Sequence, residues 1–167
     1  TYGCGKLLNA LDEDNADQPV HPSSKTEYKI SGVVKDKTNK VVINADVYLY
    51  KVDSSSIFKS TKTNTDGYFC FEELPTGNFN VITAKSDNEK ALIKDILINE
   101  DIIEKLLGVI SLQQTGTISG KATLADSTDH LGIDAYIPGT SFTAKTDSQG
   151  NYTIQYIPPG TYAVVYE

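Results

Sequence analysis

The chain has 167 residues, with 15 Lys+Arg against 22 Asp+Glu, for a net charge of −7. Every basic residue is Lys, which argues against nucleic acid and against an Arg fork clamping phosphate or carboxylate. Two His and two Cys are too few for a self-contained zinc site, and no stretch has the length and apolarity of a membrane-spanning helix.

At the beginning, Thr1 to Lys6 (TYGCGK) sets a small residue directly before Cys4 and is followed by a polar, acidic stretch. This resembles the tail of a bacterial lipoprotein signal and implies a lipid on Cys4. No Met opens the chain, so the natural start is expected to lie upstream. Asp12 to Lys25 (DEDNADQPVHPSSK) is too poor in large apolar groups to repay ordering, so residues 1–25 are expected to be a flexible tether. Asp12, Asp14 and Asp17 lack the turn Gly and distal Glu of a calcium loop and are expected to be solvated charges.

Beyond the tether the sequence repeats itself. Ile30-Ser31-Gly32 recurs as Ile118-Ser119-Gly120, and Ala45-Asp46-Val47-Tyr48-Leu49 as Ile133-Asp134-Ala135-Tyr136-Ile137, both offset by 88. Gly67-Tyr68-Phe69-Cys70-Phe71 is answered by Gly150-Asn151-Tyr152-Thr153-Ile154, and Leu74-Pro75-Thr76-Gly77-Asn78-Phe79 by Ile157-Pro158-Pro159-Gly160-Thr161-Tyr162, both offset by 83. The lost five residues fall near Ser54 to Ser56, as expected of a loop that varies between constant strands.

Within each copy the apolar period is two. Val47 and Leu49 alternate with Tyr48 and Tyr50, Phe69 and Phe71 with Tyr68 and Cys70, and Phe79 and Val81 with Asn78 and Asn80. That pattern predicts half-buried strands, with Asp66-Gly67 and Gln149-Gly150 as tight turns between them. Ile102, Ile103, Leu106 and Leu107 depart from it at helical spacing, predicting a short helix or turn near 99–107, between strands at 95–98 and 109–112. The predicted organisation is a module over 26–113 and a second over 114–167. The second lacks the stretch of about thirty residues that follows the Phe79 strand in the first, and is expected to be incomplete at its C-terminus.

The pattern carried by Ile30, Gly32, Val47, Leu49, Asp66, Gly67, Phe69, Phe71, Leu74, Pro75, Gly77, Phe79 and Val81 resembles the carboxypeptidase regulatory-like domain family. Ile118, Gly120, Ala135, Ile137, Asp147, Gly150, Tyr152, Ile154, Ile157, Pro158, Gly160, Tyr162 and Val164 carry it a second time. The resemblance implies an all-β chain of tandem prealbumin-like antiparallel β-sandwich modules, related to collagen-adhesin B-type repeats. Some of those relatives hold a Lys–Asn isopeptide bond. Lys35 and Lys121 stand near the first strands here, but no Asn follows the last strand in the required place, so no such bond is expected.

No nucleophile stands with a base. His21 lies in the tether and His130 in a polar loop, and adjacent Glu72 and Glu73 on a strand point to opposite faces. No catalytic residue, metal ligand or cofactor site is therefore assigned. The expected role is non-catalytic: surface display, spacing or adhesion outside the cytoplasm, at the cell surface or outer membrane. Membrane contact would come only through the lipid anchor. Two alternatives stand beside it: the non-catalytic N-terminal part of a larger secreted enzyme, or a carbohydrate-binding accessory module. For the latter, Tyr48, Tyr50 and Tyr136 share the outward side of their strands and would offer flat rings for stacking on sugars. Partners are expected among polysaccharides or other surface proteins.

Overall fold

A computed structural model describes residues 27–167 as thirteen strands, with no helix among the described residues. In the first copy these are β1 (Tyr28–Lys35), β2 (Asp46–Lys51), β3 (Ile57–Lys62), β4 (Tyr68–Leu74), β5 (Gly77–Ser86), β6 (Glu89–Ile98), β7 (Glu104–Ser111) and β8 (Gln113–Gln114). The second copy contains β9 (Gly116–Lys121), β10 (Asp134–Tyr136), β11 (Thr143–Lys145), β12 (Asn151–Ile157) and β13 (Val165–Tyr166). The tether and its features at Cys4, His21 and the Asp12–Asp17 run lie outside the described residues.

The first copy is a sandwich of a three-stranded sheet, β4-β1-β7, on a five-stranded one, β3-β2-β5-β6-β8. Alternation places Ile30 and Val34 of β1, Val47 and Leu49 of β2, Phe69 and Phe71 of β4, and Phe79 and Val81 of β5 between the sheets. Burying each such side chain contributes roughly 1.5–3 kcal/mol, which is why period two decides the fold. Among the described strands all pairings are antiparallel except one: β1 and β7 run parallel, Lys29 opposite Glu104 and Lys35 opposite Ser111.

The helix expected near 99–107 does not form. Asn99 caps a tight turn, its side chain accepting from the Asp101 amide and its carbonyl from the Ile102 amide. The chain then crosses to the other sheet and is extended from Glu104. Pairing with the open edge of β1 satisfies a row of backbone groups and lets Leu107 and Ile110 join the core, which outweighs the local helical spacing.

The repeat is exact in hydrogen-bond register. In the first copy Ile30 faces Phe71 and Gly32 faces Phe69; in the second Ile118 faces Ile154 and Gly120 faces Tyr152. Asp46 opposite Lys62 is repeated by Asp134 opposite Lys145, and both pairs are ion-paired, at 2.5 and 2.7 Å. Buried Thr63 accepts from the Ala45 amide and donates to the Val42 carbonyl, and Thr146 does the same for Ile133 and His130. Asn64 and Asp147 both fold a side-chain oxygen back onto the amides two and four residues ahead, so the partner of Asp147 in the first copy is Asn64, not Asp66. The copies differ in length at the β2–β3 hairpin. In the second copy it closes tightly, the Ile137 amide donating to Phe142.

Two glycines are dictated by these turns. Gly67 and Gly150 both have positive φ, 71° and 86°, and press against the carbonyls of Val34 and Ala122. A Cβ on Gly67 would lie 2.7 Å from that oxygen, whereas Gly108, with φ 67°, has nothing within 4 Å. Gly67→Ala is thus expected to cost about 2–3 kcal/mol and Gly108→Ala about 1 kcal/mol, a difference that urea unfolding of the two variants will measure.

Candidate functional site

The five-stranded sheet of the first copy is covered on both faces. Six consecutive residues of β5, Phe79 to Ala84, are buried. Phe79 and Val81 face the first core. Ile82, with Tyr50 of β2, belongs to a second core that also holds Ala135, Ile137, Phe142, Tyr152, Ile154 and Ile157 of the second copy. Tyr48 and Leu92 pack against the same cluster. The outer face of one sandwich and the interior of the next are therefore one continuous apolar body.

Polar groups fix how the copies meet. Asn80, buried beside Tyr50, donates to the Gly139 carbonyl at 2.9 Å and accepts from the Asp95 amide at 3.0 Å. Gly139 presses against this amide and against Val52, so a side chain there has no room. Along β6, the Lys94 ammonium donates to the Thr161 carbonyl at 2.8 Å and lies 5.4 Å from the Tyr162 ring centre. Lys90, paired with Asp87, lies 5.9 and 5.4 Å from the rings of Phe142 and Tyr156. Burial raises the Tyr50 hydroxyl pKa, partly opposed by a hydrogen bond with Ser141, and it raises that of Tyr162.

The expected sugar platform is not exposed. Tyr50 is 1 % accessible, Tyr48 is half-buried against the second copy, and Tyr136 is half-buried on β10. Alternation correctly sets Tyr48 and Tyr50 on the outer side of their sheet, but that side is an internal surface. Tyr68 is half-buried as well, and the exposed rings among the described tyrosines are Tyr156, at a bulge with φ 59°, and Tyr166. Glu73 occupies the same bulge in the first copy, with φ 54°, while Glu72 pairs with Lys29 at 2.9 Å.

Other chemistry-bearing residues are occupied structurally. His130 accepts from the Leu124 amide through Nδ1 at 3.1 Å, and Cys70, between buried Phe69 and Phe71, is not a free thiol. Among the described residues no three His, Cys, Asp or Glu are grouped to hold a metal, and the buried polar side chains are Ser, Thr and Asn, with no carboxylate. Lys121 is exposed and Lys35 half-buried, without the desolvation an isopeptide-forming amine requires.

Residues 29–101 match the model of the carboxypeptidase regulatory-like domain, so the resemblance read from the sequence holds over the first copy. Residues 114–166 match a different model, polysaccharide lyase family 4, domain II. No curated protein sequence matches the chain. Among solved structures, the Bacillus anthracis TIE protein is similar at 17 % identity and a TM-score of 0.38, over 84 % of this chain and 28 % of that one. A streptococcal ancillary pilin is similar at 11 % identity and a TM-score of 0.39, over 86 % and 54 %. The subtilisin-related fervidolysin of Fervidobacterium pennivorans follows at 13 % and 0.36, over 78 % and 23 %. The chain thus spans about a quarter and about half the length of the first two.

If the shared core holds the copies together, emptying it will unfold both. Tyr50→Ala is expected to destabilise the chain by about 3–5 kcal/mol, and Asn80→Ala by about 1–3 kcal/mol through the orphaned Asp95 amide and Gly139 carbonyl. Tyr136→Phe, which removes only a hydroxyl from a half-buried ring, should change little; chemical denaturation followed by circular dichroism compares the three.

The second core also sets an alkaline limit. Burial, followed by the 2.8 Å hydrogen bond to the Tyr166 hydroxyl, pushes the Tyr152 hydroxyl up to about 12 from its usual 10. A folded-state pKa above the unfolded one gives stability that is complete below pH 10 and lost as pH rises toward 12. Tyr152→Phe should flatten that decline in a pH series of thermal melts, and an unchanged slope would show that Tyr152 does not cause it.

Proposed function

We propose that the chain is a non-catalytic, extracytoplasmic module for surface display, spacing or adhesion. The observation that carries this reading is the core shared by the two copies. Two sandwiches on a free linker would swing, whereas an inter-module contact that buries Tyr50, Ile82 and Phe142 gives a stiff unit with a fixed direction. Side chains that could do chemistry are spent on that stiffness: Lys90 and Lys94 cross between copies, and His130 and Asp147 close turns. No helix among the described residues is long and apolar enough to cross a membrane.

A second reading is favoured by the family descriptions. One names a regulatory-like domain of carboxypeptidases and the other a domain of a polysaccharide lyase, so the chain fits equally as the non-catalytic part of a larger secreted enzyme. Fractionation of the native host, with protease shaving of intact cells and intact-mass measurement, separates the readings. Surface display predicts loss of the protein on shaving. A protein found only inside the cytoplasm would overturn both readings, and one released attached to a catalytic domain would establish the second.

A further inference from the structure

Cys70 is held in a disulfide. It stands on β4 between Phe69 and Phe71, whose rings turn into the first core. Its sulfur therefore leaves from the outer side of the β4-β1-β7 sheet, beside Tyr68 and Glu72. The sequence has two Cys, and the other is Cys4. A bond within one chain leaves that single partner.

A second observation lies directly across the ladder, where Ser31 of β1 pairs with Cys70. Ile30 and Val34 point into the core, so Ser31 is on the outer side as well. It is nonetheless 0 % exposed, and its Oγ has no hydrogen-bond partner among the described residues. On the neighbouring β7 the outward Leu106 and Val109 are 69 % and 56 % exposed. The burial thus belongs to the Ser31–Cys70 pair and is not spread over the sheet. A cystine sets its two Cα atoms only about 4.4–6.8 Å apart, so backbone bonded to Cys70 is held close to its cross-strand neighbour.

We propose that Cys4 and Cys70 form an intrachain disulfide that fastens the N-terminal segment to the outer side of β4 and stabilises the first sandwich. The bond closes a loop that contains β1, β2 and β3, so it removes freedom from the unfolded chain. Reach is no obstacle: residues 5–27 span far more, at roughly 3.3 Å per residue, than the about 10 Å from Tyr28 to Ser31. On oxidation the two thiols lose two protons and two electrons as the S–S bond forms. An oxidising disulfide accepts them by thiol–disulfide exchange and leaves as a dithiol. The bond excludes the lipid that the opening residues imply, since one sulfur cannot carry both. The inference stands apart from surface display, because the non-catalytic part of a secreted enzyme would meet the same oxidising surroundings.

The test uses the whole chain, purified without reductant from an oxidising compartment. Its intact mass should lie about 2 Da below that of the reduced chain. Trypsin should release one species joining the peptide that ends at Lys6 to Thr63–Lys85. Dithiothreitol should lower the thermal midpoint by about 5–15 °C. Cys4→Ser should melt where the reduced chain melts, ignore dithiothreitol, and leave Cys70 open to maleimide. A diacylglyceryl mass on Cys4, a dimer joined through Cys70 on a non-reducing gel, alkylation of both thiols without reductant, or a midpoint that reductant leaves in place would each overturn the proposal.

Discussion

The organising constraint is a sheet with no solvent face. An antiparallel sheet ordinarily turns one side to water and shows clean alternation. The β3-β2-β5-β6-β8 sheet does so only at its margins, because β5 is buried on both sides from Phe79 to Ala84. Val47, Leu49 and Val81 require the β4-β1-β7 sheet above them; Tyr50 and Ile82 require the second copy below. A chain with this sheet at its centre is therefore layered, and the short sheets of the second copy, two and three strands wide, gain cover that they do not supply themselves.

That constraint explains what the sequence made legible. Register depends on local chemistry: a Gly where a ring crosses, a turn with positive φ, an Asp or Asn folded onto its own amides. Those features recur at fixed offsets, so the equivalence of Gly32 with Gly120 and of Phe69 with Tyr152 was readable from spacing, while the pairing of each Gly with its ring is a finding of the structure. The helical spacing at 102–107 misled because it is a local signal, and the open edge of β1 is a long-range one.

The inter-copy surface was hidden for a related reason. Alternation tells which residues share a face, not whether that face meets water. Tyr suits either outcome, since its ring buries well and its hydroxyl accepts a wet or a paired end. The better signal was in β5, where Asn80 and Ile82 interleave with Phe79 and Val81, leaving no run of charged or small polar residues for solvent. Asn80 is the more telling, because a buried amide needs partners, and it finds one in each copy's neighbourhood: the Asp95 amide and the Gly139 carbonyl.

Two copies of one blueprint have thus diverged through their neighbours rather than their frames. Where the core of the first copy draws on β6 and β7, that of the second draws on Tyr50 and Ile82 from the first copy's outer face. The bulge within β12 shows the same shift: Glu73 in the first copy faces solvent, while Tyr156 in the second turns its ring to Lys90 of β6. Substitutions that would be neutral in an isolated sandwich have become contacts. The lysines of β6, which a free sheet would present to water, lie against rings and carbonyls of the second copy, so the outer face of β6 is a joint rather than a surface.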